Sequence, residues 1–430
     1  MSATSWAAHT AQRARAWLVR AFFQNFFRLL VITVSLSQWG LLWWLDPRPI
    51  RSLSPAVRLG GPLLIYSFNR WLAIRTQRVR RSHRSLGGVP RAYFAFAFTC
   101  LFCMGFLLAT GALWLGAKAL LETMAVQART TVAGLAIDSD VDTAFRWLAD
   151  AGTAAVGLVF VYGYSIGQRR LRITHLRLPL RHCRESFDGL RIVQISDIHV
   201  GQNLGRDQLG RFVARVNALC PDLICITGDI ADAPSADLDG FLPLLADLRA
   251  AHGVFAILGN HDHYAGAERV VAALRRLTPF TVLRDQRAVI AINGQPLHII
   301  GLDDRGPDWA RGATHAPYLD AALAEIPADE PVLLLCHRPD IFPHAAAAGV
   351  ALTLSGHTHG GQLGIPWVNG RVRNLAEFIT RFDRGLFARD GSYLYVNCGL
   401  GITGQRIRLC TPREITLIDV QPASAQALAA

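Results

Sequence analysis

Long apolar stretches dominate the first two-fifths of the chain, and short apolar runs mark the rest. About 20 apolar residues in a row are enough for a helix to cross a bilayer. The candidate stretches are 29–45, 56–74, 92–115 and 148–166. The second is the weakest because Arg58, Asn69 and Arg70 interrupt it. The pattern therefore predicts an all-α membrane region with about four transmembrane helices, with the crossing of the second left open.

Beyond residue 190 the apolar runs are short and alternate with helical patterns. Such alternation is typical of α/β and layered α+β domains. The predicted strands cover 190–195, 223–227, 254–258, 297–300, 332–336, 351–354, 393–396 and 415–419. The predicted helices cover 207–219, 241–249 and 267–277. The pattern thus predicts an α/β domain after the membrane region.

Charge divides the chain at nearly the same place. Residues 1–174 carry 20 basic and 6 acidic residues, whereas residues 175–430, with 24 and 26, have a net charge of −2. We therefore predict a membrane region at 1–174, a folded domain at 175–422 and a flexible tail at 423–430. A nearly neutral domain lacks the basic field that a phosphate backbone requires, so no nucleic-acid partner is expected.

The arginines of the front part flank its spans unevenly. They precede the first span and follow the second and the fourth, whereas the 118–147 loop carries four of the six acidic residues. Cytoplasmic loops carry an excess of Lys and Arg. The N-terminus, the 75–91 loop and everything after Gly167 are therefore predicted to be cytoplasmic. The eight cysteines have no disulfide-framework spacing, which agrees with a reducing compartment.

Residue types that bind metals follow five of the predicted strands directly. They are Asp197 and His199, Asp229, Asn260, His337, and His357 with His359. Active sites of open α/β sheets form beyond the carboxyl ends of strands. We therefore expect these five strand ends to converge on one crevice.

Each of these fragments is common by chance, but their order is specific. The ordered set Asp-x-His, Gly-Asp-x-x-Asp, Gly-Asn-His-Asp, His and Gly-His-x-His resembles the calcineurin-like metallophosphoesterase superfamily over 190–420. The runs at 356–362, 384–386, 399–401 and 412–417 are similar to its bacterial membrane-anchored branch. The resemblance implies an α/β (layered α+β) sandwich of two mixed sheets flanked by helices, in the bacterial inner (cytoplasmic) membrane.

The same resemblance implies a centre of two divalent metal ions. Its ligands, by position, are Asp197, His199 and His359 for the first metal, Asn260, His337 and His357 for the second, and a bridging Asp229. Such a pair lowers the pKa of a shared water and clamps phosphoryl oxygens, which implies hydrolysis of a phosphate ester or pyrophosphate by a metal-bridged hydroxide. Mixed nitrogen and oxygen ligation suits Mn, Fe, Zn or Co, and ligand type does not choose among them.

The resemblance also points to catalytic residues beside the ligands. His261 would stabilise the charge of the phosphate or protonate the leaving oxygen, with Asp262 orienting its ring. Candidate substrate contacts are His263, Tyr264 and Arg338, and a structural ion pair is an equal alternative for Arg338.

Three further features bear on the site. Asp232 is predicted to support the ligands from behind, with a surface turn as the alternative. Gly228, Gly259 and Gly356, which precede ligands, are predicted to permit tight turns. The loop at 303–318 has no periodicity, and such loops often set specificity.

The substrate stays open at this point. Anchoring favours a lipid-borne phosphate or pyrophosphate, and some relatives of this branch cleave a UDP-diacylglucosamine, while other superfamily members cut cyclic nucleotides, nucleic acids or phosphoproteins. The expected partners are a phosphorylated substrate and membrane lipids, and no protein partner is evident. An alternative is a catalytically silent membrane scaffold or sensor with a phosphoesterase-like domain, although such relatives usually lack ligands and none is missing here.

Overall fold

A computed structural model describes residues 25–81, 88–127, 139–201, 203–304 and 315–422. Apart from the segment 81–85, the chain divides into two compact units, one ending at Val161 and the other beginning at Tyr162. The predicted tail at 423–430 and residues 305–314 of the predicted specificity loop lie outside the described residues.

The described part of the first unit is helical. Its helices are α1 (Asn25–Leu45), α2 (Pro47–Ser52), α3 (Pro55–Arg81), α4 (Gly88–Gln127) and α5 (Ser139–Ser165), the last of which ends in the second unit. Within the described residues, three stretches are long and apolar enough to cross a membrane: Asn25–Leu45, Gly88–Leu120 and Asp142–Arg169. Helix α3, which holds the predicted second span, forms but is not among the three.

Polar side chains tie α3 to its neighbours. The buried Asn69 amide donates to Ser35 Oγ and Gln38 Oε1, each at 2.8 Å, and its carbonyl accepts from the Tyr93 hydroxyl at 2.7 Å. Hydrogen bonds of this kind hold helices together in a membrane, where an unpaired polar group is costly. Asn69, which weakens the apolar run of α3, is therefore an internal contact of the helical unit.

Two six-stranded mixed sheets form the second unit. The strands of the first sheet are β1 (Leu171–Leu180), β2 (Arg191–Ile195), β3 (Leu223–Thr227), β4 (Val254–Ile257), β5 (Thr281–Val282) and β14 (Arg413–Pro422). Those of the second are β6 (Gln286–Ile292), β7 (Gln295–Gly301), β8 (Val332–Leu335), β9 (Leu352–Ser355), β12 (Gly385–Arg389) and β13 (Ser392–Val396). The first sheet has the order β1-β14-β2-β3-β4-β5, and the second β12-β13-β9-β8-β7-β6. A separate hairpin pairs β10 (Gly364–Pro366) with β11 (Val372–Asn374).

The two sheets pack face to face and helices cover their outer faces. Ile192, Phe255, Leu333 and Leu354 are among the side chains buried between the sheets. The helices are α6 (Arg206–Asn217), α7 (Leu238–Leu245), α8 (Asn260–Ala265), α9 (Ala267–Leu277), α10 (Ala316–Leu323) and α11 (Phe342–Ala347). Since β2, β3, β4, β8 and β9 are covered on both faces, they need nearly continuous apolar sequence. This arrangement confirms the predicted α/β sandwich.

The pattern of apolar residues did not predict the strands that have several exposed positions. All eight predicted strands are present within a few residues, but β1, β5, β6 and the hairpin and edge strands β10 to β12 were not predicted. Strand β1 crosses the predicted domain boundary at 174 because it pairs in parallel with β14 along ten residues, from Leu171 to Leu180.

Candidate metal centre

Five strand ends meet at one place, as expected. Strands β2, β3 and β4 run parallel in the first sheet, and β8 and β9 run parallel in the second. Each is followed within five residues by one or two of the predicted ligands. The ligands are buried or half-buried. The sandwich therefore brings these seven side chains together from segments that are far apart in the chain.

The backbone of the site is strained. Asp197, His199, Asp229, His357 and His359 have φ between +48° and +71°, in the left-handed region that L-residues seldom adopt. They make up five of the thirteen non-glycine residues with positive φ in the described part of the chain. Such strain persists where the surrounding structure enforces it, typically at functional sites.

Of the three glycines before the ligands, Gly228 serves the predicted tight turn, and Gly259 and Gly356 serve a different purpose. Only Gly228 has a left-handed φ, of +90°, whereas Gly259 has an ordinary φ of −108°. A Cβ at Gly259 would lie 2.6 Å from Asp229 N and 2.8 Å from Asp229 Cγ, and one at Gly356 would overlap Asp197 and Ser196. Gly259 and Gly356 therefore leave room for carboxylates, and the strained turn residues are the ligands themselves.

One group of possible metal ligands comprises Asp197, His199, Asp229 and His359. Atoms from all four lie within 4.8 Å of one another. The two Nε2 atoms of His199 and His359 are 3.0 Å apart, His359 Nε2 is 3.2 Å from Asp197 Oδ1, and His199 Nε2 is 3.6 Å from Asp229 Oδ2. Imidazole nitrogens and carboxylate oxygens that converge in this way suit a divalent cation.

A second group forms on the other side of Asp229. His337 Nδ1 donates to the Thr227 carbonyl at 2.7 Å, so in the neutral ring Nε2 is a bare lone pair. That Nε2 is buried, lacks a hydrogen-bond partner among the described residues and faces Asp229 Oδ2 at 3.3 Å. In the neutral ring, Nε2 and the Asp229 carboxylate are two facing acceptors, and both could serve as ligands to a divalent cation. His357 Nδ1 and Asn260 Oδ1, 2.9 Å apart, add two more ligand types.

The surroundings of the site favour the neutral, metal-binding form of two of its histidines, His357 and His359. Burial and the nearby His337 and Arg338 lower the pKa of His357 to about 3. Burial, with His199 and Arg408, also lowers the pKa of His359 well below its usual value. Burial alone would lower the pKa of His337, but Asp229 raises it to about 10. A metal would displace the proton that this pKa leaves on His337, because metal ligands must be deprotonated.

His261 lies at the mouth of the cluster, but Asp262 does not orient it. The Asp262 carboxylate is buried and accepts from the backbone N–H groups of Ile230, Ala231 and Gly259 at 2.7 to 3.1 Å. Asp232 holds the ring instead, because His261 Nδ1 donates to the Asp232 carbonyl at 2.9 Å. The predicted role of Asp262 is therefore wrong in this respect. Asp262 instead braces the turns after β3 and β4, because it accepts hydrogen bonds from backbone amides of both.

The Asp232 carboxylate lies close to both the proposed metal ligand His199 and the candidate catalytic residue His261. Its Oδ1 is 3.4 Å from His199 Nδ1 and 3.7 Å from His261 Nδ1. A carboxylate on the far nitrogen fixes the orientation of a ligating ring. The predicted supporting position of Asp232 thus agrees with the contacts.

The three candidate substrate contacts differ in their surroundings. Arg338 is buried and makes two bonds to Asp304, at 2.6 and 3.1 Å, so its guanidinium is committed to an ion pair. His263 is half-buried and bonds Asp303 at 2.9 Å. Tyr264 is exposed, with its ring against that of His261. The structural alternative for Arg338 therefore holds, and Tyr264 stays available to a ligand.

A buried arginine supports the site and was not predicted. Arg408 donates to the carbonyls of Cys398, Gly399 and Gly401, and to those of two further residues, Thr411 and Pro412. A Cβ at Gly399 would lie 2.7 Å from Asp197 Cβ, so this loop presses on the first ligand. The sequence feature that could have indicated a buried role for Arg408 is its position between the apolar residues Ile407 and Leu409.

Glu414 anchors the same loop from the other side. Its carboxylate accepts from the backbone N–H of Cys398 at 2.9 Å and from the Tyr395 hydroxyl at 2.8 Å, and it pairs with Arg172 at 2.7 Å. Burial would raise the pKa of Glu414, but Arg172 and the hydrogen bonds hold it below its ordinary value.

Comparison with known proteins agrees with this geometry. The family model for the calcineurin-like phosphoesterase matches residues 190–361. The chain is 32% identical over 234 residues to an uncharacterized metallophosphoesterase of Campylobacter jejuni, covering 54% of this chain and 59% of the relative. It is also 32% identical over 233 residues to an uncharacterized metallophosphoesterase of Aquifex aeolicus, covering 54% of this chain and 85% of the relative.

A vertebrate relative extends the comparison to membrane proteins. The chain is 30% identical over 269 residues to a transmembrane protein with metallophosphoesterase domain of Danio rerio, covering 61% of this chain and 60% of the relative. The chain thus spans about three fifths of the length of two of these three relatives. The predicted resemblance is confirmed, and the chain belongs to the calcineurin-like metallophosphoesterase family, a family of hydrolases.

Proposed function

We propose that this protein is a membrane-anchored phosphoesterase that hydrolyses a phosphate ester or pyrophosphate with two divalent metal ions. The observation that carries the proposal is the position of Asp229 Oδ2, 3.6 Å from His199 Nε2 on one side and 3.3 Å from His337 Nε2 on the other. A carboxylate between two sets of nitrogen and oxygen ligands is what a bridged metal pair requires.

The ligand sets divide around Asp229. Asp197, His199 and His359 would hold one ion, and Asn260, His337 and His357 the other. Divalent ions held there would polarise the phosphoryl oxygens and lower the pKa of a water. The chain's own residues would orient the substrate.

His261 is the group placed for proton transfer. Its Nδ1–H is committed to the Asp232 carbonyl, which leaves Nε2 to meet a phosphoryl or leaving-group oxygen. The half-buried position of the ring lets it reach a substrate from the open side of the cluster.

The strained backbone argues against a silent scaffold. Each residue held in a sparsely populated conformation costs of the order of 1–3 kcal/mol, and five of the seven proposed ligands carry that cost. A domain that had lost catalysis would gain stability by relaxing these turns.

The membrane and the substrate form the finer part of the proposal. Three stretches apolar enough to span a bilayer support anchoring. The arginine distribution favours a cytoplasmic domain on a bacterial inner membrane, and anchoring favours a lipid-linked substrate such as a UDP-diacylglucosamine. Comparing turnover of detergent-dispersed lipid pyrophosphates with that of soluble nucleotides tests this substrate class.

Metal analysis and hydrolysis of an aryl phosphodiester test the central claim. We expect purified full-length protein to contain divalent metal, and Asp229→Asn to lose metal and at least about 100-fold in hydrolysis. Asp247→Asn removes the same charge from an exposed position and is expected to match the parent. A parent without hydrolysis, together with an Asp229→Asn variant that binds metal normally, would contradict the proposal.

A further inference from the structure

Apart from the metal centre, the second unit exposes a cluster of large apolar side chains on segment 364–381. The segment begins five residues after His359 and carries the β10–β11 hairpin. Six of its side chains are exposed: Ile365, Trp367, Val368, Leu375, Phe378 and Ile379. Phe378 is 89% exposed and Trp367 is 59% exposed. Large apolar side chains exposed close together in the chain are typical of sites that interact with proteins or membranes.

The charge of the segment selects between these partners. Segment 364–381 contains three arginines and one glutamate, whereas residues 175–430 as a whole are net negative. Arg371 and Arg381 are exposed beside the apolar side chains. Tryptophan and phenylalanine next to arginine are typical of surfaces that enter the headgroup layer of anionic membranes.

The base of the segment is held at the end of a candidate span. Gly364 N donates to the Leu409 carbonyl at 2.8 Å, and the neighbouring Arg408 N donates to the Gly163 carbonyl at 3.4 Å. The Tyr164 hydroxyl donates to Gln405 Oε1 at 3.3 Å. Gly163 and Tyr164 belong to the second unit and also to the stretch Asp142–Arg169. A bilayer that takes up this stretch would therefore have its surface close to the base of the segment.

We propose that segment 364–381 docks on the lipid bilayer. Trp367, Val368 and Phe378 enter the headgroup region, and Arg371 and Arg381 bind lipid phosphates. Gly361, two residues after His359, packs against Asn374 and Leu375, so the docked segment holds the edge of the metal centre at the membrane surface. The docking goes beyond the proposed hydrolysis and does not depend on it.

Lipid-dependent quenching of a single label tests the docking. In full-length protein with the exposed Cys220 and Cys410 replaced by serine, Phe378→Cys carries an environment-sensitive fluorophore. The labelled protein is reconstituted into phosphatidylethanolamine–phosphatidylglycerol vesicles with or without spin-labelled lipid. Val289→Cys is the matched control. Val289 is 52% exposed and lies on β6, whereas the segment leads into β12, at the opposite edge of the same sheet.

We expect spin-labelled lipid to quench the fluorophore at 378 by about twofold or more and to leave that at 289 unchanged. Arg371→Glu with Arg381→Glu should reduce the quenching at 378. Equal quenching at 378 and 289 would overturn the proposal. A blue shift of the emission at 378 that increases with the amount of protein per vesicle, without quenching by spin-labelled lipid, would also overturn it. A second copy or another protein would then cover the segment.

Two controls keep the result interpretable. Trp367→Cys provides a second labelling position if Phe378→Cys does not fold. The readout uses no hydrolysis, so a failure of docking leaves the phosphoesterase proposal intact, and absence of hydrolysis leaves the docking result intact.

Discussion

Replacing Gly259 by alanine tests whether the space beside Asp229 is required for metal binding. The backbone of Gly259 is compatible with alanine, since its φ is −108°. The added methyl, however, would lie 2.6 Å from Asp229 N and 2.8 Å from Asp229 Cγ, closer than the 3.0 Å that real Cβ atoms respect. The substitution therefore acts on the proposed bridging ligand through packing alone.

The expected displacement exceeds what a metal site tolerates. For the added Cβ to lie 3.0 Å from Asp229 N, the Gly259 and Asp229 turns must separate by about 0.4 Å, which is about twice the ±0.2 Å tolerance of metal-ligand distances. Disturbing the groups that position a ligand typically costs about 10–100-fold in metal affinity, which is about 1.4–2.8 kcal/mol. Overpacking adds about 1–3 kcal/mol of destabilisation of the fold.

Calorimetric titration of metal-depleted protein with Mn or Zn measures the affinity, and thermal unfolding measures the stability. We expect Gly259→Ala to lose affinity and to unfold at a lower temperature. Gly210→Ala in helix α6 is the control, since beyond its own helix no atom of the described residues lies within 4 Å of the position of its Cβ. That change should leave metal binding untouched and stabilise the protein by about 0.5–1 kcal/mol. A Gly259→Ala variant with affinity and unfolding temperature close to those of the parent would refute the packing argument.

Three other substitutions probe the supporting structure. Arg408→Leu should lower the unfolding temperature by about 10 °C, because it removes the hydrogen bonds of a buried guanidinium to five carbonyls and about 3–5 kcal/mol is lost, whereas the exposed neighbour Arg406→Leu should change it little. Since the pKa of Glu414 lies below its ordinary value, its charge stabilises the folded state above that ordinary value, and this stabilisation is lost as the pH falls through the lowered pKa; acid melts of Glu414→Gln should therefore fall less steeply than those of the parent. Asn69→Leu should destabilise the helical unit in detergent by about 1 kcal/mol despite its greater apolarity, and Arg70→Leu, on the exposed side of the same helix, should not.

Buried local patterns could be predicted from the sequence, and non-local pairings could not. Strand β3 and helix α9 match their predicted bounds because both have continuous or periodic apolar runs. Strand β1 has Arg172, His175 and Arg177 among its apolar residues and pairs with β14, more than 230 residues away. Nothing local to 171–180 signals that partner.

The candidate site divides in the same way. The residue types of the proposed ligands, and the strands that they follow, could be predicted from the sequence, because few residue types can bind a metal ion. The role of Asp262 could not be predicted, because its partners are the backbone amides of Ile230, Ala231 and Gly259, whose orientation depends on the fold. Backbone amides carry no residue identity, and so a sequence pattern cannot record them.

The position of β14 between β1 and β2 has a consequence for biosynthesis. Among the fourteen strands of the described residues, the one made last fills the gap between the first two, so the ribosome must complete residues 413–422 before the first sheet can close. Until then β1 has no neighbour and β2 has a free edge, which exposes a template for aggregation. A nascent chain that stalls late in synthesis would thus carry every proposed metal ligand without a closed sheet to hold them. Assembly of the centre is thereby coupled to completion of the domain.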